Sequence, residues 1–300
     1  MSALRIDIHQ HVWPEPFLAA LRARRSTPRL DGWILHTGGE PPYRVEPGDH
    51  SVSARAELAA ADGIDLALVS LSSPLGIESL PADQARPLLD AYHEGVLALP
   101  RPFRAWAAAG LDDPDPAALR DVLVAGCVGL QLPANAIADE AGYERCGPLL
   151  TELERRDKPL FVHPGPDFEG AGGPSWWAAI VGYVGQMHAA WFAWHEYGAP
   201  RYPRLRVAFA MLAGLAPLHS DRIAARGGPD GLPGAGVFVE TSSYGSGIVD
   251  AVAARLGADR IVLGSDRPYA SPLSVGAGDR RLRIDNPATL LGPQFPARNP

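Results

Sequence analysis

The chain opens on an alternating run, LRIDIHQH (residues 4–11), in which Ile6 and Ile8 interleave with Asp7, His9 and His11. Side chains alternate across a β-strand, so the pattern predicts a strand with Asp7, His9 and His11 on one face and the isoleucines on the other. From residue 54 onwards, stretches of helical periodicity alternate with short apolar runs. Helix 54–63 leads to strand 64–72, helix 82–100 to strand 103–111, helix 116–126 to strand 127–134, and helix 146–157 to strand 159–165. An aromatic helix over 175–198 leads to strand 205–212, helix 216–227 to strand 237–243, and helix 247–259 to strand 260–268. The strand runs are rich in Val, Ile, Leu and Ala, as expected for parallel strands covered on both faces. With the first strand the count is eight, and eight such units closing on themselves make an α/β fold of the (β/α)8 TIM-barrel type. An open doubly wound sheet has less support, because no G-x-G-x-x-G follows the first strand.

Residues 12–54 interrupt the alternation. Within them a short helix is predicted from Phe17 to Arg25, and a hairpin from Gly32 to Val45 with Gly38-Gly39 at its tip. An insertion directly after the first strand suits a lid over a site, and equally a plain surface loop. Composition leaves the barrel in place: 300 residues, 46% hydrophobic and 20% charged, suit a single domain over 1–300 with a large core.

Other features narrow the partners. The net charge of −7 argues against nucleic acid and an anionic membrane surface, which leaves a small molecule as the expected partner. Cys127 and Cys146 form no C-x-x-C motif and are expected to stay reduced, which fits a cytoplasmic setting. The N-terminus shows no signal-peptide pattern, and no run of 18 apolar residues predicts a membrane span. The aromatic helix is compatible with a homodimer.

In a TIM barrel the chemistry sits at the C-terminal ends of the strands. Those ends carry His9 and His11 on the first strand, His163 on the fifth, Met211 on the sixth, Glu240 near the end of the seventh, and Asp266 after the eighth. Three imidazoles and a carboxylate converging on one mouth are a ligand set for a divalent metal, Zn first, with Mn or Fe as alternatives. Taken alone, His-x-His and the FVHPG histidine would more often be ordinary strand-end residues.

The segments IDIHQHVW, PLFVHPG and RIVLGSDRP, with the closing NPATLLG (286–292), resemble the amidohydrolase superfamily. The likeness is to its amidohydrolase-related branch, which contains aminocarboxymuconate semialdehyde decarboxylase, resorcylate-type decarboxylases and small lactonases. It implies that His9, His11, His163 and Asp266 hold one metal with a bound water, with Asp266 moving the proton. The family usually has a histidine at the end of the sixth strand, where this chain has Met211, and a thioether is no base at neutral pH. His219, eight residues on, is a candidate replacement imidazole, or else a surface residue.

Hydrolysis needs only the bound water and Asp266. The missing strand-six histidine therefore tilts the expectation towards a metal-dependent hydrolase of a small ester, lactone or amide of a carboxylated or aromatic metabolite. The alternatives are a non-oxidative decarboxylase of an aromatic or unsaturated acid, and an altered barrel that only binds. On the substrate side, Arg267 offers a guanidinium for a carboxylate, or an ion pair with Glu240 or Asp7. Trp13, Trp176 and Trp177 are candidate walls of a planar pocket, with Met211 also lining it. The Gly-rich stretches 171–173 and 227–236 lack the Lys and Ser/Thr of a phosphate loop, and no G-x-S-x-G occurs.

Overall fold

A computed structural model describes residues 3–38, 40–167, 174, 176–228, 234, 236–272, 280–293 and 295. Its eleven strands are β1 (Ile6–Gln10), β2 (Arg29–Asp31), β3 (Ile34–His36), β4 (Tyr43–Arg44), β5 (Leu66–Val69), β6 (Phe103–Ala105), β7 (Leu130–Pro133), β8 (Leu160–His163), β9 (Val207–Phe209), β10 (Val237–Glu240) and β11 (Ile261–Val262). The principal helices are α1 (Glu15–Ala23), α2 (Val52–Ala61), α3 (Ala82–Leu97), α4 (Pro116–Ala125), α5 (Glu140–Arg155), α6 (Tyr183–Ala193), α7 (Ala199–Arg201), α8 (Ser220–Ala224), α9 (Ser246–Leu256) and α10 (Asn286–Leu291).

The barrel is built from β1 and β5–β11, all paired in parallel. Hydrogen bonds complete the ring where the regular ladders stop. Gln131 N–H donates to the Ala107 carbonyl between β6 and β7, and Ile8 N–H donates to the Leu263 carbonyl between β1 and β11. The regular strands are shorter than predicted: β11 is two residues where 260–268 is expected, and β6 is three where 103–111 is expected. Backbone bonding continues irregularly past β11, where Asp266 N–H donates to the His9 carbonyl and His11 N–H to the Arg267 carbonyl.

Three further differences have local causes. Helix α5 begins at Glu140, six residues before the expected start, because the Asp139 carboxylate accepts from Gly142 N–H and caps it despite Gly147 and Pro148 further on. The long aromatic helix widens into i→i+5 turns at Ala178–Gly182 and Trp194–Gly198, on either side of α6. The predicted hairpin is a three-stranded antiparallel meander, β2–β3–β4, because Arg29–Asp31 adds a strand outside it.

Aromatic side chains fill the barrel below its mouth. Trp106 stacks on Phe161 with centroids 5.3 Å apart, and its indole N–H donates to the Ile8 carbonyl at 2.8 Å. This gives a large buried ring its polar partner and supplies a rigid floor. Among the described residues no helix is long and apolar enough to cross a membrane.

One buried carboxyl lies outside the cluster of strand-end histidines. Glu78 follows β5, and its Oε1 accepts from the Ser73 hydroxyl, which in turn accepts from Gln131 Nε2. Burial pushes the Glu78 carboxyl up to about 7. A raised folded-state value means that this residue's contribution to stability is full below about pH 4.5. It declines as pH rises and is lost once pH passes about 7. Glu78→Gln is therefore expected to be more stable than the parent at pH 8 by on the order of 3 kcal/mol, and close to it at pH 4, as read by urea unfolding at the two pH values.

Candidate metal centre

Strand β1 delivers His9 and His11 from one pleat, β8 delivers His163 from its last residue, and the loop after β11 delivers Asp266. One ligand-type atom from each of the four lies within 4.8 Å of all the others. His9 Nε2 and His11 Nε2 are 3.0 Å apart, and Asp266 Oδ1 lies 3.4 Å from the first and 3.2 Å from the second. The three imidazole rings meet edge to face, with centroids 4.9–5.2 Å apart. The histidines are buried, while the Asp266 side chain keeps 20% of its surface and faces the mouth.

The backbone explains how Asp266 reaches the imidazoles. Its φ is +57°, a left-handed conformation that Asp tolerates better than most residues. Its N–H donates to the His9 carbonyl at 2.9 Å, and Tyr269 N–H donates to its carbonyl at 2.8 Å. Asp7, on the same strand, takes no place in the cluster. Its carboxylate accepts from His9 N–H, Ser265 N–H and Gln10 Nε2, and so joins β1 to the loop that carries Asp266.

Each imidazole donates its other ring nitrogen outward. His9 Nδ1–H is 3.1 Å from Glu240 Oε1, His11 Nδ1–H is 3.1 Å from the Ser70 carbonyl, and His163 Nδ1–H is 2.8 Å from the Pro164 carbonyl. All three acceptors are oxygens without a proton, so the hydrogen sits on Nδ1 in each ring. The Nε2 lone pairs of His9 and His11 then face each other at 3.0 Å, close enough to share one cation. These donors fit a divalent metal.

The electrostatics of three of the four residues suit ligation. Burial lowers His11, and burial together with the other two rings holds His163 well below its usual value. Burial pushes the Asp266 carboxyl up, but the three imidazoles more than offset it, and its pKa lies below the ordinary range. Neutral imidazoles beside an ionised carboxylate are the protonation states that ligation requires. His9 is the exception: burial alone would lower its pKa, but the Asp266 charge and the Glu240 hydrogen bond outweigh burial and raise it, so a metal has to displace the proton this ring favours.

The other candidates are placed as follows. Trp13 is buried beside the cluster: its indole N–H donates to Ser72 Oγ at 3.0 Å, and that hydroxyl lies 3.3 Å from His11 Nδ1. Trp176 and Trp177 meet at a tilt with centroids 5.6 Å apart and are 55% and 40% exposed. His219 is exposed and meets His188 edge to face at 5.2 Å, and it is not among the four residues of the cluster. Residues 171–173 and most of 227–236 lie outside the described residues.

Arg267 is not free to grip a substrate. Its Nε and Nη2 make a two-pronged pair with Asp62, at 2.8 and 3.1 Å, a partner at the end of α2 rather than Glu240 or Asp7. A fixed pair of this kind serves structure first. Arg267→Ala is expected to cost about 1–3 kcal/mol in urea unfolding while leaving substrate KM within about twofold of the parent.

Met211 occupies the end of β9, and the backbone there departs from every sequence expectation. Five consecutive residues, Met211 to Leu215, have φ between +49° and +68°, a left-handed turn that ordinary residues adopt at a cost. Only Gly214 among them is free of that penalty.

Two contributors had no sequence signal. His50, in the insertion, stacks on Trp13 at 4.4 Å and accepts from Trp13 N–H, and its pKa is lowered to about 3 by burial and by Arg55. Arg55 is buried and clamps the His11 carbonyl at 2.8 Å and Gln10 Oε1 at 2.6 Å. Both lie more than thirty residues from the histidines they support, at no motif spacing. Tyr269, three residues past Asp266, lies 5.4 Å from the His11 ring, and its hydroxyl is influenced by Tyr43 of β4 and by Ser72. The insertion therefore reaches the mouth.

No protein-family model and no curated protein matches this sequence. Solved structures do match. The 5-carboxyvanillate decarboxylase of Novosphingobium aromaticivorans, with bound manganese and a nitrobenzoic acid, aligns at TM-score 0.71 and 18% identity over 97% of each chain. The 2,6-dihydroxybenzoate decarboxylase from Rhizobium aligns at 0.66 and 20%, over 97% of this chain and 99% of that one. A dihydroxybenzoic acid decarboxylase from Polaromonas, with manganese and 2-nitroresorcinol, aligns at 0.63 and 19% over 97% of each. The chain thus has the barrel fold of these amidohydrolase-type proteins, in agreement with the resemblance carried by its strand-end motifs.

These neighbours correct the expectation of hydrolysis. Their printed activities are decarboxylations of aromatic acids, not cleavage of esters, lactones or amides. The inference from Met211 was at fault: the structures share the fold end to end, while the missing histidine spoke only to one proton donor.

Proposed function

We propose that this protein is a metal-dependent, non-oxidative decarboxylase of an aromatic or unsaturated carboxylic acid. The observation that carries the reading is the four-residue cluster at the mouth of a barrel that aligns with aromatic-acid decarboxylases over nearly its whole length. His9, His11, His163 and Asp266 would hold the ion. Their imidazole-rich set suits Zn2+, and Mn2+, the ion in two of the neighbours, is the alternative. A bound dication supplies Lewis-acid polarisation of an oxygen-bearing substrate and an anchor for its carboxylate.

The chain's own residues do the rest. Decarboxylation breaks the bond between a carbon and its carboxylate, releases CO2, and leaves the electron pair on the carbon, which must take up a proton. Asp266 is the carboxylate of the cluster that faces the mouth; it would take a proton from water there and pass it to that carbon, returning to its ionised form. Met211 offers none, so Asp266 acts without a strand-six imidazole. Tyr269, half exposed beside the His11 ring, gives planar surface next to the centre, which favours a flat substrate. Two buried cysteines with free thiols support a cytoplasmic setting.

The test is direct. Chelator-stripped protein reloaded with Zn2+ or Mn2+ is incubated with hydroxylated benzoic acids, and CO2 and the decarboxylated product are measured. Release of CO2 that depends on the metal is the expected result. A fully loaded protein that yields none from any acid of the panel, or that hydrolyses lactones instead, defeats the proposal.

A further inference from the structure

Glu240, the last residue of β10, is buried, and its carboxylate is fully occupied. Oε1 accepts from His9 Nδ1–H at 3.1 Å, from Met211 N–H at 2.8 Å and from the Ser242 hydroxyl at 2.6 Å. Oε2 accepts from Ser242 N–H at 2.6 Å. The neighbouring strand makes room for it: a Cβ on Gly264 would stand 2.1 Å from Oε2. Gly264 does not have a positive φ, so what keeps the position small is this close approach.

A single oxygen thus receives both the back of a metal-ligating imidazole and the first N–H of the left-handed turn at Met211–Leu215. That turn is costly on its own. An anchored N–H at its first residue helps over-determine it. The same hydrogen bond fixes the tautomer and rotation of the His9 ring, so the Glu240 oxygen ties the end of β9 to β1.

We propose that Glu240 is the positioning residue of the centre. It sets the His9 lone pair for the cation and, through Met211 N–H, makes the grip on the metal depend on the left-handed turn. The role rests on the metal reading above and not on the decarboxylation. Glu240 does not touch substrate; it acts through His9.

The test uses the full chain, stripped of metal and titrated with Zn2+ against a chromophoric chelator, and loaded with Co2+ for its visible spectrum. Three variants approach the oxygen from different sides. Glu240→Gln is expected to weaken Zn2+ binding by about 10–100-fold, the usual cost of losing a charged outer partner. Ser242→Ala removes one donor from Oε1 and is expected to lose several-fold in affinity. Gly264→Ala pushes the carboxylate aside and should resemble Glu240→Gln. In each, the Co2+ bands should shift, because the His9 ring is no longer held in one rotation, and Ser242→Ala should melt near the parent temperature without metal. Unchanged affinity and unchanged Co2+ spectra in a parent that does bind the ions would overturn the role of Glu240 alone. Affinity losses that only follow the melting of the metal-free protein, with unshifted Co2+ bands, would also overturn it. A parent chain that binds neither ion removes the metal reading, and this positioning role with it.

Discussion

Asp266→Asn is expected to cut turnover by about 10²–10⁴-fold while the protein still folds and still takes up metal. Asn has the same shape and keeps an oxygen where Oδ1 now lies 3.2 Å from His11 Nε2, so ligation is weakened rather than abolished. The amide neither accepts nor delivers a proton, however, and no second acid stands on the strand-six side, where Met211 sits. The backbone should tolerate the change, since Asn shares the preference of Asp for the left-handed conformation found at this position. Single-turnover measurements with a reactive aromatic acid, alongside metal content, would check it. Parent-like turnover in the metal-loaded variant would mean that some other group supplies the proton.

His11→Ala is expected to reduce metal affinity by more than the about 10–100-fold that losing an outer partner costs, and to abolish activity at micromolar metal. His11 is enclosed by other site residues: Ser70 and Ser72 lie against its Nδ1, Tyr269 lies beside the ring, and its Nε2 is near both His9 and Asp266. The truncation leaves one imidazole of the β1 pair and opens a gap beside Asp266. Restoring activity with high metal or added imidazole would show that the ring acts as a ligand and not as a packing element. Chelator competition and metal analysis report the affinity loss directly.

Much of this was visible in the amino-acid order, for a physical reason. Buried parallel strands must be apolar, and they recur after helices of regular length, so the eight-fold alternation and the residues at each strand end could be read without coordinates. The metal cluster followed because the fold places strand ends together. What could not be read was whatever depends on a neighbour distant in sequence. Arg267 beside Asp266 looked available, yet Asp62 at the end of α2 takes it. His50 belongs to an insertion whose path no periodicity records, and Arg55 lies on a helix whose periodicity does not say that its guanidinium reaches the His11 carbonyl. The five-residue left-handed turn breaks the ordinary preference of Met, Leu and Ala, and only the contacts around it make it tenable. The reaction type was illegible for a related reason: Met211 marks the loss of one imidazole, whereas the likeness to aromatic-acid decarboxylases lies in the three-dimensional path of the whole barrel.

Position 211 is tied to the centre through its amide, because Glu240 receives the Met211 N–H. Any residue able to sit in that turn leaves the anchor in place. The chain has thereby separated what builds the site from what tunes it, and the side chain at 211 is a slot where reactivity can be exchanged without dismantling the scaffold. A barrel organised in this way can drift in chemistry while its architecture stands still, which makes this residue a natural starting point for re-engineering.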